Sequence, residues 1–214
     1  MSRRRGVRRV IRGPGSAAAA AVVTLVALTI QGCWRGVPTP AEDPSKLTIK
    51  LTSSAFADGA MIPKELTCDG PGSSTPLEWS NVPQSAKALA LIVEDPNAPM
   101  GTFSHWVVVD LPPGLKGLKE AIPAEPVVPA ESLVAVGNIR PGAAGRQGKN
   151  DFGKIGYGGP CPPSGTHHYV LRLYALDAPI KLDSTSPARS DVLEAIKGHV
   201  IAEGRLVGQY ARSK

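Results

Sequence analysis

The sequence predicts a mainly β domain of 214 residues less an N-terminal targeting segment. Three observations support this. Ala88 to Glu94, Phe103 to Leu111 and Tyr169 to Leu176 are runs of strand length, rich in β-branched and aromatic residues. Only one stretch, Ser190 to Gly198, carries a helical pattern with start and stop signals. The connections are rich in glycine and proline and too short for a regular βαβ series.

The leader comes first. Arg3, Arg4, Arg5, Arg8, Arg9 and Arg12 precede the apolar run Ala17 to Ile30, with no acidic residue among them. At about 14 residues that run is short for a membrane-spanning helix and suits a signal-peptide core. It ends in Ile30-Gln31-Gly32-Cys33, which resembles a bacterial lipobox. Residues 1–32 therefore read as a lipoprotein signal peptide. Cys33 reads as the lipidated first mature residue, carrying palmitate-type acyl chains; the alternatives are an ordinary secretory signal or a start codon placed too early. Residues 33–46 hold Pro38, Pro40 and Pro44 with little to bury and read as a tether. The expected location is the extracytoplasmic face of a bacterial membrane, with the folded domain spanning 47–214.

Charge excludes one function class. The formal net charge is +6, but of 24 basic residues six are the leader arginines, which leaves 18 against 18 acidic ones. The basicity belongs to the leader, so no nucleic-acid partner is expected.

Along the mature chain, Leu47 to Thr52 alternates as a first strand, and Asp58-Gly59 signals a turn. Leu77-Glu78-Trp79 is a short strand. Ala88 to Glu94 is central and runs into Asp95-Pro96-Asn97-Ala98-Pro99, which must leave the sheet because proline cannot serve a central ladder. Phe103 to Leu111 carries His105 near its start, and Leu133 to Ile139 is a weaker strand. Arg140 to Gly148 reads as a mobile glycine-rich excursion. Lys149 to Thr166 is a loop in which glycines alternate with stiffening prolines. His167, His168 and Tyr169 open the next strand, where strand geometry puts His167 and Tyr169 on one face and His168 on the other. Ser190 is the expected cap of the one helix, Gly198 its end, and His199 to Tyr210 the closing strand.

Several motifs fail. Gly142 to Asn150 lacks phosphate-loop spacing, and no G-x-S-x-G elbow exists. Adjacent histidines on a strand diverge, so no metal site is expected. What remains is dispersed: Asp95 with Asn97, His105, and the segment from Gly156 to Tyr169. Each has an ordinary structural explanation alone; together, polar groups flank three apolar strands. Imidazoles, the Tyr169 hydroxyl and glycine-loop N–H groups are donors suited to an anion, and a carboxylate at Asp95 can orient a histidine. No activated nucleophile sits beside a base, so no enzyme is expected. The rival reading is a hydrolase or transferase using His105, His167 and Asp95 as acid–base groups.

D-P-N-A-P from Asp95, S-H-W-V-V-V-D-L-P from Ser104, and G-Y-G-G-P-C-P-P-S-G-T-H-H-Y from Gly156 resemble the phosphatidylethanolamine-binding protein (PEBP) family, in its bacterial Raf-kinase-inhibitor-like branch. The resemblance covers about Leu47 to Arg212. It implies an antiparallel β-sandwich with a short C-terminal helix and a small anion pocket at one end. The pocket residues it implies are Asp95, His105, Gly159, Pro160, His167 and Tyr169, with no cofactor. The expected partners are a small anion or phospholipid headgroup, the membrane through the lipid anchor, and a protein target of kinase- or protease-inhibitor type. The family usually has a second aspartate where this chain has Asn97, and often arginine where it has His168. With Cys33 lipidated, Cys68 and Cys161 remain, either as free thiols or as a disulfide; the resemblance places both at the same end of the sandwich.

Overall fold

The computed structural model describes residues 44–46, 48–135 and 145–212. The predicted signal peptide, Cys33 and most of the tether lie outside the described residues, as do positions 136–144. The last tether residues, Pro44–Lys46, form a 3-10 turn, and Lys46 Nζ donates to Val200 O at 2.7 Å.

Among the described residues, nine strands make two antiparallel sheets. Four of them, β1 (Lys50–Thr52), β2 (Leu77–Ser80), β5 (Leu115–Leu118) and β6 (Leu133–Ala135), lie in the order β1-β2-β5-β6. The other five are β3 (Ala88–Asp95), β4 (Phe103–Leu111), β7 (Arg146–Gln147), β8 (His167–Leu176) and β9 (Val200–Tyr210), in the order β7-β4-β3-β8-β9. Leu89, Leu91 and Val93 of β3 and Tyr169, Leu171 and Leu173 of β8 face the smaller sheet, with Trp79, Leu115 and Leu118 in the same core. The alternate residues Ala90, Ile92 and Tyr174 form a second apolar layer under Val192 and Leu193 of the helix α1 (Arg189–Ala195) and Ile196, its C-cap. Both faces of the larger sheet are thus covered, which explains why β3 and β8 read as continuous apolar runs rather than as alternation.

Three local expectations need correction, and one falls partly outside the described residues. The first strand is only Lys50–Thr52, because Ile49 already donates its N–H to Glu203 O of β9, so the segment crosses between sheets. The predicted strand from Leu133 is described only to Ala135, the remainder falling in 136–144. Arg146–Gln147 is no mobile excursion but an edge strand beside β4. There Gln147 is wholly buried, its Oε1 accepting from Trp106 Nε1 at 2.7 Å and its Nε2 donating to Pro123 O and Glu125 O. Ser190 is not the helix cap. Lys149 donates its N–H to Pro187 O and bridges Ala188, which holds 187–188 extended; the cap is Ala188, whose N–H is accepted by Asp191 Oδ2 at 2.9 Å. The short strand β5 follows directly on Pro112-Pro113-Gly114 and carries no strand pattern of its own in the sequence.

The outer face also holds a buried ion network. Glu94 Oε2 accepts from Arg189 Nε at 2.6 Å and its Oε1 from Arg172 Nε at 3.2 Å, while Arg172 Nη1 reaches Glu203 Oε1 at 2.7 Å. Two acids and two guanidiniums balance, which is what allows ionised groups to persist away from water.

Candidate functional site

Strand alternation aims Asp95 and His167. Asp95 follows Val93 on the face turned toward the smaller sheet, and His167 shares that face of β8 with Tyr169. All three are buried, while His168 is exposed on the opposite face. Asp95 Oδ2 accepts from His167 Nδ1 at 2.6 Å, and its Oδ1 accepts the Asn97 N–H at 2.8 Å. The second bond closes an Asx turn that takes the chain out of the sheet ahead of Pro99.

His105 reaches the same place by a different device. Val93 pairs with Trp106, and Glu94 with Ser104, so His105 is the extra residue of a β-bulge. The bulge breaks alternation and lets His105 and Trp106 face the same side. The His105 ring meets Tyr169 edge-on at 5.1 Å between centroids, Phe103 at 5.2 Å and Phe152 at 5.4 Å. Its Nδ1 donates to Gly158 O at 2.7 Å. A carbonyl can only accept, so this bond fixes the tautomer.

The loop that supplies Gly158 is held on several sides. Buried Asn150 donates to Gly156 O and accepts from the N–H groups of Phe152 and Lys154. Asp151 and Ser104 exchange bonds at 2.7 and 2.9 Å. Tyr157 Oη donates to Leu66 O at 2.9 Å, and Cys68 N–H to Pro160 O at 3.1 Å. Cys68 and Cys161 form a disulfide, with Cα atoms 5.4 Å apart. Gly159 is required by close approach: a Cβ there would lie 2.9 Å from the Thr67 carbonyl carbon and 3.0 Å from Leu66 O. Asp69, beside the disulfide, accepts from Tyr210 Oη at 2.8 Å and pairs with Arg212, tying this loop to the end of β9.

Burial dominates the electrostatics. It pushes the His105 pKa down from the ordinary imidazole value, while the Gly158 bond and the charges of Asp95 and Asp151 pull part of the way back. It pushes Tyr169 well above the ordinary phenol range; the Asp95 charge adds to this, and the Cys161 main chain offsets a little. The Tyr169 hydroxyl is enclosed yet makes no well-formed hydrogen bond among the described residues. A buried hydroxyl left so costs about 1–3 kcal/mol, and such sites often await a partner.

Asp95, His105, His167 and Tyr169 therefore meet around one point. Gly159 and Pro160 sit between Gly158 and Cys161 and shape the loop; the Pro160 carbonyl is already used by Cys68. Phe103, Phe152, Asn150 and Gln147 were not singled out in the sequence. Asn150-Asp151-Phe152-Gly153 did carry a turn signal that could have found Asn150. Two clefts lined by described residues lie elsewhere, one of about 360 Å³ between Lys50, Glu78 and Lys116 and one of about 560 Å³ beside α1. Among the described residues no cluster of three or more His, Cys, Asp or Glu side chains could hold a metal ion, and no helix is long and apolar enough to cross a membrane.

Two layers of antiparallel sheet with a buried polar cluster at one end define a β-sandwich binding fold. The model of the phosphatidylethanolamine-binding protein family matches residues 52–211, and the chain belongs to that family. A UPF0098 protein of Methanothermobacter thermautotrophicus is 44% identical over 164 residues, covering 77% of this chain and 99% of the relative. One from Chlamydia trachomatis is 39% identical over 169 residues, with 77% and 99% covered. Among solved structures, the PEBP homologue CT736 from Chlamydia trachomatis shares 38% identity at a TM-score of 0.64, covering 78% of this chain and 99% of that one. E. coli YbcL, described as a member of the mammalian PEBP family, shares 27% at a TM-score of 0.66, with 78% and 99% covered.

Proposed function

We propose that this chain is a binding protein, tethered through a lipid on Cys33 to the outer face of a bacterial membrane, whose site takes a small phosphate-like or carboxylate anion. The observation that carries the reading is the buried Tyr169 hydroxyl, which has no well-formed hydrogen bond among the described residues and lies near the Cys161 main chain, beside two histidines whose Nδ1 atoms are already engaged. Each ring can then meet a ligand only through Nε2. A neutral ring with hydrogen on Nδ1 offers a lone pair there; a cationic ring offers a donor. Anion binding is therefore coupled to one proton, taken up by a ring or brought by the ligand. The anion is carried by a phospholipid headgroup or by an acidic group of a protein partner, the latter fitting a protease-inhibitor-like role.

No Ser, Thr or Cys side chain is hydrogen-bonded to either ring among the described residues, and Cys161 is oxidised, which favours binding over hydrolysis. Calorimetric titration with phosphate and acetate at pH 5.5 and 8, on the wild type and His167→Ala, tests the reading. Affinity rises as pH falls, by up to about tenfold per unit for one proton, and His167→Ala weakens it. Equal binding at both pH values and in both proteins refutes the reading. Cys33→Ser should release the protein from the membrane fraction; unchanged sedimentation refutes the anchor.

A further inference from the structure

The tether enters the sandwich at the end opposite the site. Lys46 Nζ donates to Val200 O at 2.7 Å and the Ile49 N–H to Glu203 O, so the chain arrives at the start of β9. It then follows β9, with the Gly59 N–H on Val207 O and the Ile62 N–H on Gln209 O. Tyr210, the last residue of β9, pairs with His167 of the site. The 11 residues of β9 make ten rises of about 3.3 Å, so roughly 33 Å separates Val200 from the site end. Three of the four exposed large apolar side chains among the described residues lie at that site end. Met100, 89% exposed, is in the turn between Asp95 and Phe103. Phe152, 46% exposed, packs edge-on against the His105 ring, and Met61, 53% exposed, bridges Gln209 beside Tyr210.

From Cys33 to Pro44 the chain reaches at most about 36–40 Å fully extended, and about 17–20 Å as a flexible coil. Bringing the site end down to the membrane that holds Cys33 would lay the tether back along the whole of β9 and use nearly all of that extension. Chain entropy therefore favours the pose with the site end outward. Exposed apolar side chains around an anion site suit a protein surface whose acidic group is set among apolar ones. We propose that the site end faces away from the anchoring membrane and docks an acidic group of a protein partner flanked by apolar side chains, rather than a headgroup of that membrane. This rests on the anchor and anion readings above.

Orientation is tested with the full-length lipidated protein in vesicles of phosphatidylethanolamine and phosphatidylglycerol. A donor dye sits at Ser164→Cys, just before His167, or at Lys197→Cys, just before Val200, both positions being exposed. Energy transfer to an acceptor at the vesicle surface should place Lys197 nearer the membrane by about 20–30 Å. Equal heights, or Ser164 nearer, overturn the outward pose. The partner is tested by calorimetry with acetylated peptides ending Leu-Leu-Glu and Gly-Gly-Glu, and with phosphate as the control for the site. The leucine peptide should bind on the order of tenfold more tightly. Met61→Ser with Met100→Ser should remove most of that preference and leave phosphate affinity unchanged. No preference in the wild type, a preference that survives both substitutions, or a parallel loss of phosphate affinity overturns the docking surface. A wild type that binds neither phosphate nor peptide overturns the anion reading as well, and protein that does not stay with the vesicles overturns the anchor.

Discussion

Removing the disulfide, by Cys68→Ser with Cys161→Ser, separates the stability of the sandwich from the order of its site loop. The bond joins residues 93 apart in sequence. Closing a loop of that size in the unfolded chain corresponds to about 4.7 kcal/mol on a chain-entropy basis. The folded protein keeps other ties across the same gap, from Cys68 N–H to Pro160 O and from Tyr157 Oη to Leu66 O. The cost therefore falls mainly on the unfolded state, and the two sheets, which the bond does not touch, should persist. For a domain of this size each kcal/mol shifts the melting temperature by about 2–4 °C, so a fall on the order of 10–15 °C is expected. Circular dichroism melts of the wild type and the double variant, with near-identical spectra at 20 °C, provide the assay. A fall of less than about 3 °C would show that the loops are equally constrained without the bond, and the entropy argument would be wrong.

Three shorter predictions follow from single contacts. Gln147→Leu strands the Trp106 indole N–H and two carbonyls, and should cost about 1–3 kcal/mol for each group left without water; denaturant unfolding measures it, and a change below about 0.5 kcal/mol would contradict the buried placement. Gly159→Ala forces a Cβ against the main chain of Leu66 and Thr67, which should cost about 1–3 kcal/mol and weaken phosphate binding; unchanged values for both would show that the loop can yield. Burial lowers the His105 pKa, so below about pH 6.5 the unfolded chain takes up a proton that the folded one resists. Stability is therefore full above that pH and declines below it, and His105→Gln should flatten the decline; an unaltered pH profile would count against the assignment.

The long apolar strands were legible because β3 and β8 are buried on both faces, a burial that leaves an unbroken apolar run in the sequence. Of the polar residues at the ends of those runs, His167 and Tyr169 share a face by alternation alone, while Asp95 joins them in the sequence only through the family resemblance. His105 was legible as a residue but not in its aim, because a bulge obeys no sequence period. Gln147 looked like part of a loop, since a lone polar residue among glycines gives no sign that an indole and two carbonyls wait for it. The helix start was misplaced for a similar reason: the serine that should cap it is overruled by an extended segment held by Lys149, distant in sequence. The disulfide required knowing that two loops meet, which spacing cannot supply.

The central claim is that an anion sits against the second nitrogens of His105 and His167. Side-chain 15N–1H spectra of the four histidines during a phosphate titration at pH 6 test it most directly. The account predicts that the Nε2 signals of His105 and His167 move and saturate together while their Nδ1 signals and those of His199 stay put. Shifts spread evenly over all four rings, or none at His105 and His167, would contradict it.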